Sequence, residues 1–170
     1  IQARTLRCTI PKFLNVTDIS KSFPPLNFNT YPLKLFKKDG QFFVKDEIRK
    51  KNLVLTPEEW VRQHCVHYIN QELNYPLSSI GLEGKLVINE QMKRFDMLVY
   101  NNGQPSILVE CKAASVKIDQ KVFDQIARYN LKLNVPFLWV TNGLNHFFAT
   151  IDYEEQRYNF IKELPLHNSI

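Results

Sequence analysis

No run in this chain approaches the roughly eighteen apolar residues that a membrane-spanning helix needs, which excludes a helical span. Cysteine is sparse, and Cys8, Cys65 and Cys111 are odd in number and follow no ligand or bridge spacing. That excludes a disulfide framework or a zinc ribbon and points to reduced thiols in a cytoplasm. His64 and His67 fit neither H-x3-H nor HExxH spacing, so they read as exposed or internally satisfied helix histidines. No GxxxxGK[ST] loop is present, which excludes ATP hydrolysis by the P-loop route. Nor does a zinc-finger or helix-turn-helix pattern offer side chains for reading bases.

What is present fits one globular domain with a sizeable core: 170 residues, 44% hydrophobic and 23% charged. The net charge of +5 conceals an asymmetry. Residues 1–51 hold eleven Lys/Arg against four Asp/Glu, whereas residues 52–170 hold eleven against thirteen. The basic part is where a polyanion such as DNA would be met; the alternative is a solvated arm whose lysines only keep it soluble.

Residues 1–32 read as an extended arm, punctuated by Pro11, Pro24, Pro25 and Pro32. Residues 33–170 read as a single α/β domain with its core at about 56–152. Residues 33–37 and 41–45 flank Lys38-Asp39-Gly40, a hairpin signal that displays Lys34, Lys37, Lys38 and Lys45. Thr56-Pro57-Glu58-Glu59 opens a helix with a hydroxyl cap, a proline in the first turn and Glu59 at capping-box distance. The helix runs to about residue 73, with Val61, Cys65, Tyr68 and Ile69 on its inner stripe. Glu59 and Gln63 are candidate accessory residues, although capping explains Glu59 equally well.

Residues 93–112, KRFDMLVYNNGQPSILVECK, organise the rest. Phe95, Met97 and Val99, then Ile107 and Val109, recur with the period of a pleated strand around an Asn101-Asn102-Gly103 turn. Leu98, Tyr100 and Leu108 make the opposite face apolar too, as in a strand pair covered on both sides. Into that setting the pair carries Asp96, Glu110 and Lys112. Glu110 and Lys112 share a face, with Cys111 turned to the core. An odd loop places Asp96 opposite Glu110; a two-residue Asn102-Gly103 turn places it opposite Val109 and breaks the set. Two neighbouring carboxylates repel unless a cation lies between them, and hard divalent ions take such oxygen ligands. The competing reading is a solvated Glu-Lys pair at a strand end.

Residues 84–90 read as a strand before this hairpin and 119–133 as a helix after it, followed by strands at 137–141, 146–151 and 158–164. The order helix, three strands, helix, strand, strand gives an α/β layer with a mixed central sheet flanked by helices.

The D-x13-E-x-K spacing and this order resemble the PD-(D/E)XK nuclease superfamily. TPEEWVRQ at 56–63, KRFDMLVY at 93–100, VECKA at 109–113, QIARYN at 125–130 and TNG at 141–143 are similar to the N-terminal nuclease domain of type I restriction enzyme R subunits, over about residues 33–152. The resemblance implies a restriction-endonuclease-like core and a catalytic set of Asp96, Glu110 and Lys112. It also implies Mg2+, with Mn2+ as substitute, on Asp96, Glu110 and the Cys111 backbone carbonyl. Gln125 and Tyr129 match the Q-x3-Y motif that helps hold DNA, and Phe95 replaces the proline of the motif name. Lys34, Lys37, Lys38, Lys45 and Arg94 complete the expected DNA contacts. The expected partners are DNA and a translocase or specificity/methylation subunit. The function implied is a metal-dependent DNA endonuclease; the alternative is a silent nuclease-fold module that binds DNA or docks to protein.

Overall fold

The computed structural model describes residues 19–88, 91–130 and 134–169. Eleven strands and two α-helices are assigned among them. Strands β1 (Leu35–Lys38), β2 (Gln41–Lys45) and β3 (Asn52–Val54) form an antiparallel sheet of their own. The hairpin is the expected one, but Lys38 belongs to β1, so the turn is the two residues Asp39 and Gly40, both at positive φ, and not Lys38-Asp39-Gly40. β3 was not legible, being too short for a period to show.

Helix α1 (Pro57–Gln71) begins where Thr56 Oγ1 accepts the Glu59 N–H at 3.1 Å. The capping box stays open, because the Thr56 N–H donates to the Val54 carbonyl instead. Tyr68, expected on the buried stripe, is only partly buried, whereas Arg62, Gln63 and His64 are buried.

The main sheet has six strands in the order β11-β10-β9-β8-β7-β4. These are β4 (Ile80–Leu82), β7 (Met97–Asn101), β8 (Gln104–Cys111), β9 (Phe137–Thr141), β10 (His146–Asp152) and β11 (Arg157–Ile161). Only the β8–β9 pair is parallel, and helix α2 (Gln120–Asn130) makes that crossover. The sheet is therefore mixed, as expected. One strand differs: Lys85–Ile88 (β5) pairs with Gln91–Arg94 (β6) in a separate hairpin, and Ile80–Leu82 takes the sheet edge beside β7. Ile80 is buried in the core, which explains the exchange.

Both faces of the sheet are covered. Met97, Val99, Ile107, Val109, Cys111 and Trp139 pack with Val61, Cys65 and Ile69 of α1. Leu98, Leu108, Leu138 and Val140 pack with Phe123 and Ala127 of α2. Before β1, Ile19 and Phe23 are buried with Leu35, Val44, Leu55 and Trp60. Among the described residues no helix is long and apolar enough to cross a membrane.

Candidate active site

The hairpin register decides the site. Asn101 pairs with Gln104, so the turn is the two-residue Asn102-Gly103 type, both at positive φ, and not the odd loop. The break in the set does not follow. Val99 pairs with Ile107 while Tyr100 pairs with Pro105, leaving Ser106 as the extra residue of a β-bulge. That residue restores the parity, and continuing the Met97–Val109 register by one step sets Asp96 against Glu110.

Asp96 lies in the bend before β7, its carbonyl accepting the Glu83 N–H at 2.9 Å. Its side chain crosses to β8, where Oδ2 accepts the Cys111 N–H at 2.9 Å. The carboxylate thus meets the backbone between Glu110 and Lys112. Lys112 Nζ donates to Glu110 Oε1 at 2.9 Å, and the Lys112 N–H donates to the Thr141 carbonyl at 2.8 Å, extending the parallel ladder past Cys111.

Burial, and after it the Asp96 charge, push the Glu110 carboxyl above its ordinary range against the pull of Lys112. Burial disfavours the Lys112 ammonium, but its bond to Glu110 and the charges of Glu110, Asp96 and Glu58 hold it protonated beyond its usual range. The Cys65 contact, Sγ to Sγ 3.8 Å, and burial push the Cys111 thiol up, so it is a neutral core group. Glu110, held in a setting that opposes its charge, and the neighbouring Asp96 are the residues that could hold a divalent cation. The donors fit magnesium, which takes one or two carboxylates and keeps waters and phosphate for the remaining positions. No three His, Cys, Asp or Glu side chains converge as a cage among the described residues.

A network of arginines and carboxylates missed from the sequence lies against Asp96. Arg62 Nη2 approaches Asp96 Oδ1 at 3.4 Å and Glu58 Oε1 at 2.9 Å, while Nη1 bonds Glu59 Oε2 at 2.6 Å. Glu59 also accepts from Gln63 at 2.8 Å and from Arg49, which bonds Asp46 at 2.8 Å and Glu83 at 2.8 Å. Burial works against the Arg62 charge, but Glu59 and Asp96 more than offset it and push its pKa up. Asp46 is likewise opposed by burial, yet the Arg49 and Gln63 bonds hold its carboxyl below the ordinary range. Glu59 and Gln63 are therefore buried partners in this network. Charged residues at helical spacing read as a solvated face, and only tertiary packing shows otherwise.

Of the remaining expected residues, Arg94 is exposed at the end of β6, two positions before Asp96. Lys34 bonds Glu47 at 2.6 Å, and Lys37 lies over the Phe42 ring at 5.0 Å. Lys38 and Lys45 are exposed without an ion-pair partner among the described residues. None of these four lysines bonds Asp96, Glu110 or Lys112. Gln125 and Tyr129 take places on α2, but their side chains lie outside the described set.

Fold and site together define an α/β domain whose central antiparallel pair ends in an Asp, Glu and Lys set. The family model described as type I restriction enzyme R protein N terminus matches residues 57–165, and the chain belongs to that family. The chain is also similar to a solved structure described as a fragment of an HsdR subunit of a type I restriction enzyme from Vibrio vulnificus YJ016, at 26% identity and a TM-score of 0.33. The match covers 52% of this chain and 17% of that one, so this chain spans a small part of that protein's length. No curated protein matches the chain.

Proposed function

We propose that this domain is a divalent-metal-dependent DNA endonuclease of the PD-(D/E)XK type, the nuclease module of a type I restriction R subunit. The observation that carries the reading is the joint anchoring of three groups at one strand end. Asp96 is bonded to the Cys111 N–H, and Glu110 and Lys112, on either side of that residue, are bonded to each other. Family membership supports the same reading.

Asp96, Glu110 and the Cys111 carbonyl would hold Mg2+, or Mn2+ in its place. Bound there, the ion would supply Lewis acidity to a phosphodiester and its attacking water. Lys112, kept cationic by its carboxylate neighbours, orients that water or stabilises the negative charge that develops on phosphate. The lysines of the N-terminal sheet and Arg94 grip the backbone, with Gln125 and Tyr129 as further contacts. A translocase or a specificity/methylation subunit would bring DNA to the site.

The test incubates wild type and Lys112→Ala with supercoiled and linear DNA in Mn2+. Cleavage by wild type, its loss in Lys112→Ala and equal DNA binding by both are expected. Equal traces of nicking in both would remove the enzyme reading and leave a binding module.

A further inference from the structure

We infer that Arg62 is the positioning residue of this site, holding the Asp96 carboxylate in the orientation that a divalent ion shared with Glu110 requires; the inference rests on the nuclease reading above. Asp96 lies outside the strand ladder, so pairing along β7 does not fix its side chain. Two bonds do so, one on each oxygen: the Cys111 N–H on Oδ2 at 2.9 Å and Arg62 Nη2 on Oδ1 at 3.4 Å. A carboxylate gripped at one oxygen rotates about its last bond; one gripped at both does not.

Arg62 is itself held. Its side chain is only 6% exposed, with Nη1 on Glu59 and Nη2 on Glu58. Glu59 is braced in turn by Gln63 and Arg49, and Arg49 by Asp46. Asp96 is therefore referenced through Arg62 to α1 and, by way of Glu59 and Arg49, to the β2–β3 loop. The Arg62 Nε is buried with no partner among the described residues, while both terminal nitrogens are committed to carboxylates. A lysine could keep the charge but not the fork, so it could not span Glu59 and Asp96 together. Groups that orient a metal-binding side chain in this way typically contribute about 10–100-fold to metal affinity or activity.

The experiment uses the full chain as wild type, as Arg62→Lys, and as a double variant, Arg62→Gln with Glu59→Gln, which removes one cation and one carboxylate so that burial leaves less charge unbalanced. Mn2+ affinity is measured without DNA by electron paramagnetic resonance. Single-turnover cleavage, DNA affinity and thermal unfolding are measured alongside. We expect Arg62→Lys to stay folded, bind DNA as wild type does, and lose about tenfold in both Mn2+ affinity and cleavage rate; the double variant should lose at least as much. Wild-type Mn2+ affinity and cleavage rate in whichever variant stays folded overturn the inference, as does a loss confined to DNA affinity. If wild type itself neither binds Mn2+ nor cleaves, the nuclease reading fails and takes the inference with it, an outcome distinct from the first two.

Discussion

Glu110 and His64 show how single residues set the pH response. The Glu110 carboxyl is pushed up by burial and by Asp96, so the folded chain binds its proton more tightly than the unfolded chain does. Stability from this group therefore falls as pH rises from the ordinary carboxylate range through the raised value. Glu110→Gln should abolish cleavage yet raise the melting temperature at neutral pH, with the difference vanishing near pH 4; thermal unfolding of both proteins across that range checks it. Burial pushes His64 the other way, down to about 4 from 6.5, although its Nδ1 lies 2.8 Å from the Trp60 carbonyl. Between those values the unfolded chain takes up the proton first, so stability falls with acidification by about 3 kcal/mol over the window. In denaturant titrations His64→Gln should flatten the curve by about that amount between pH 6.5 and 4. A curve parallel to wild type would mean that His64 is not buried as a neutral ring. At this scale Glu110 and Lys112 were legible as a pair on one strand face, because a spacing of two fixes that much; the place of Asp96 was not, because it depends on the bulge at Ser106 and not on an odd loop. Arg62 and Arg49 were not, because an arginine facing solvent and one clamped by buried carboxylates look alike in a helix or loop.

Element by element, period and turn chemistry revealed the first hairpin, both helices and the central strand pair. Besides the short β3, two features escaped. The KLVI of β5 has the same pattern whether it joins the main sheet or a side hairpin, and the burial of Ile80 made the choice. The bulge at Ser106 is a tertiary decision: the turn wants Asn102-Gly103 at positive φ, while the core wants Met97, Val99, Ile107 and Val109 on the face toward α1, and one looped-out residue satisfies both. The turn lies at the end of the hairpin away from Asp96 and Glu110. Gly103 has φ +77 and open space where a Cβ would stand, so Gly103→Ala meets backbone strain alone. It should cost about 1 kcal/mol, lowering the melting temperature by roughly 2–4 °C, and leave the cleavage rate unchanged. A loss of cleavage at unchanged stability would mean that the turn, not the core, sets the register of the site.

On the scale of the whole molecule, the basic N-terminal sheet and the carboxylate cluster are parts of one body joined by charge. Arg49, in the loop after β2, bonds Glu59 and Glu83, and those residues share Arg62 with Asp96. A phosphate backbone held on the sheet would thus be held in fixed relation to the site. The visible equipment is lysine and arginine without a base-reading element, so affinity should come from counterion release and depend little on sequence. The lysines are not equivalent. Lys38 and Lys45 are exposed and lack an ion-pair partner among the described residues, whereas Lys34 is bonded to Glu47 at 2.6 Å. If each exposed lysine meets a phosphate, Lys38→Ala and Lys45→Ala should each weaken binding to any duplex alike and flatten the plot of log affinity against log salt by about 0.9. Lys34→Ala should change the slope less, because its charge is already partly neutralised. Fluorescence anisotropy with two duplexes of unrelated sequence, from low to physiological salt, measures both quantities. A wild-type affinity that stayed flat across that range would assign the basic sheet to protein docking rather than DNA.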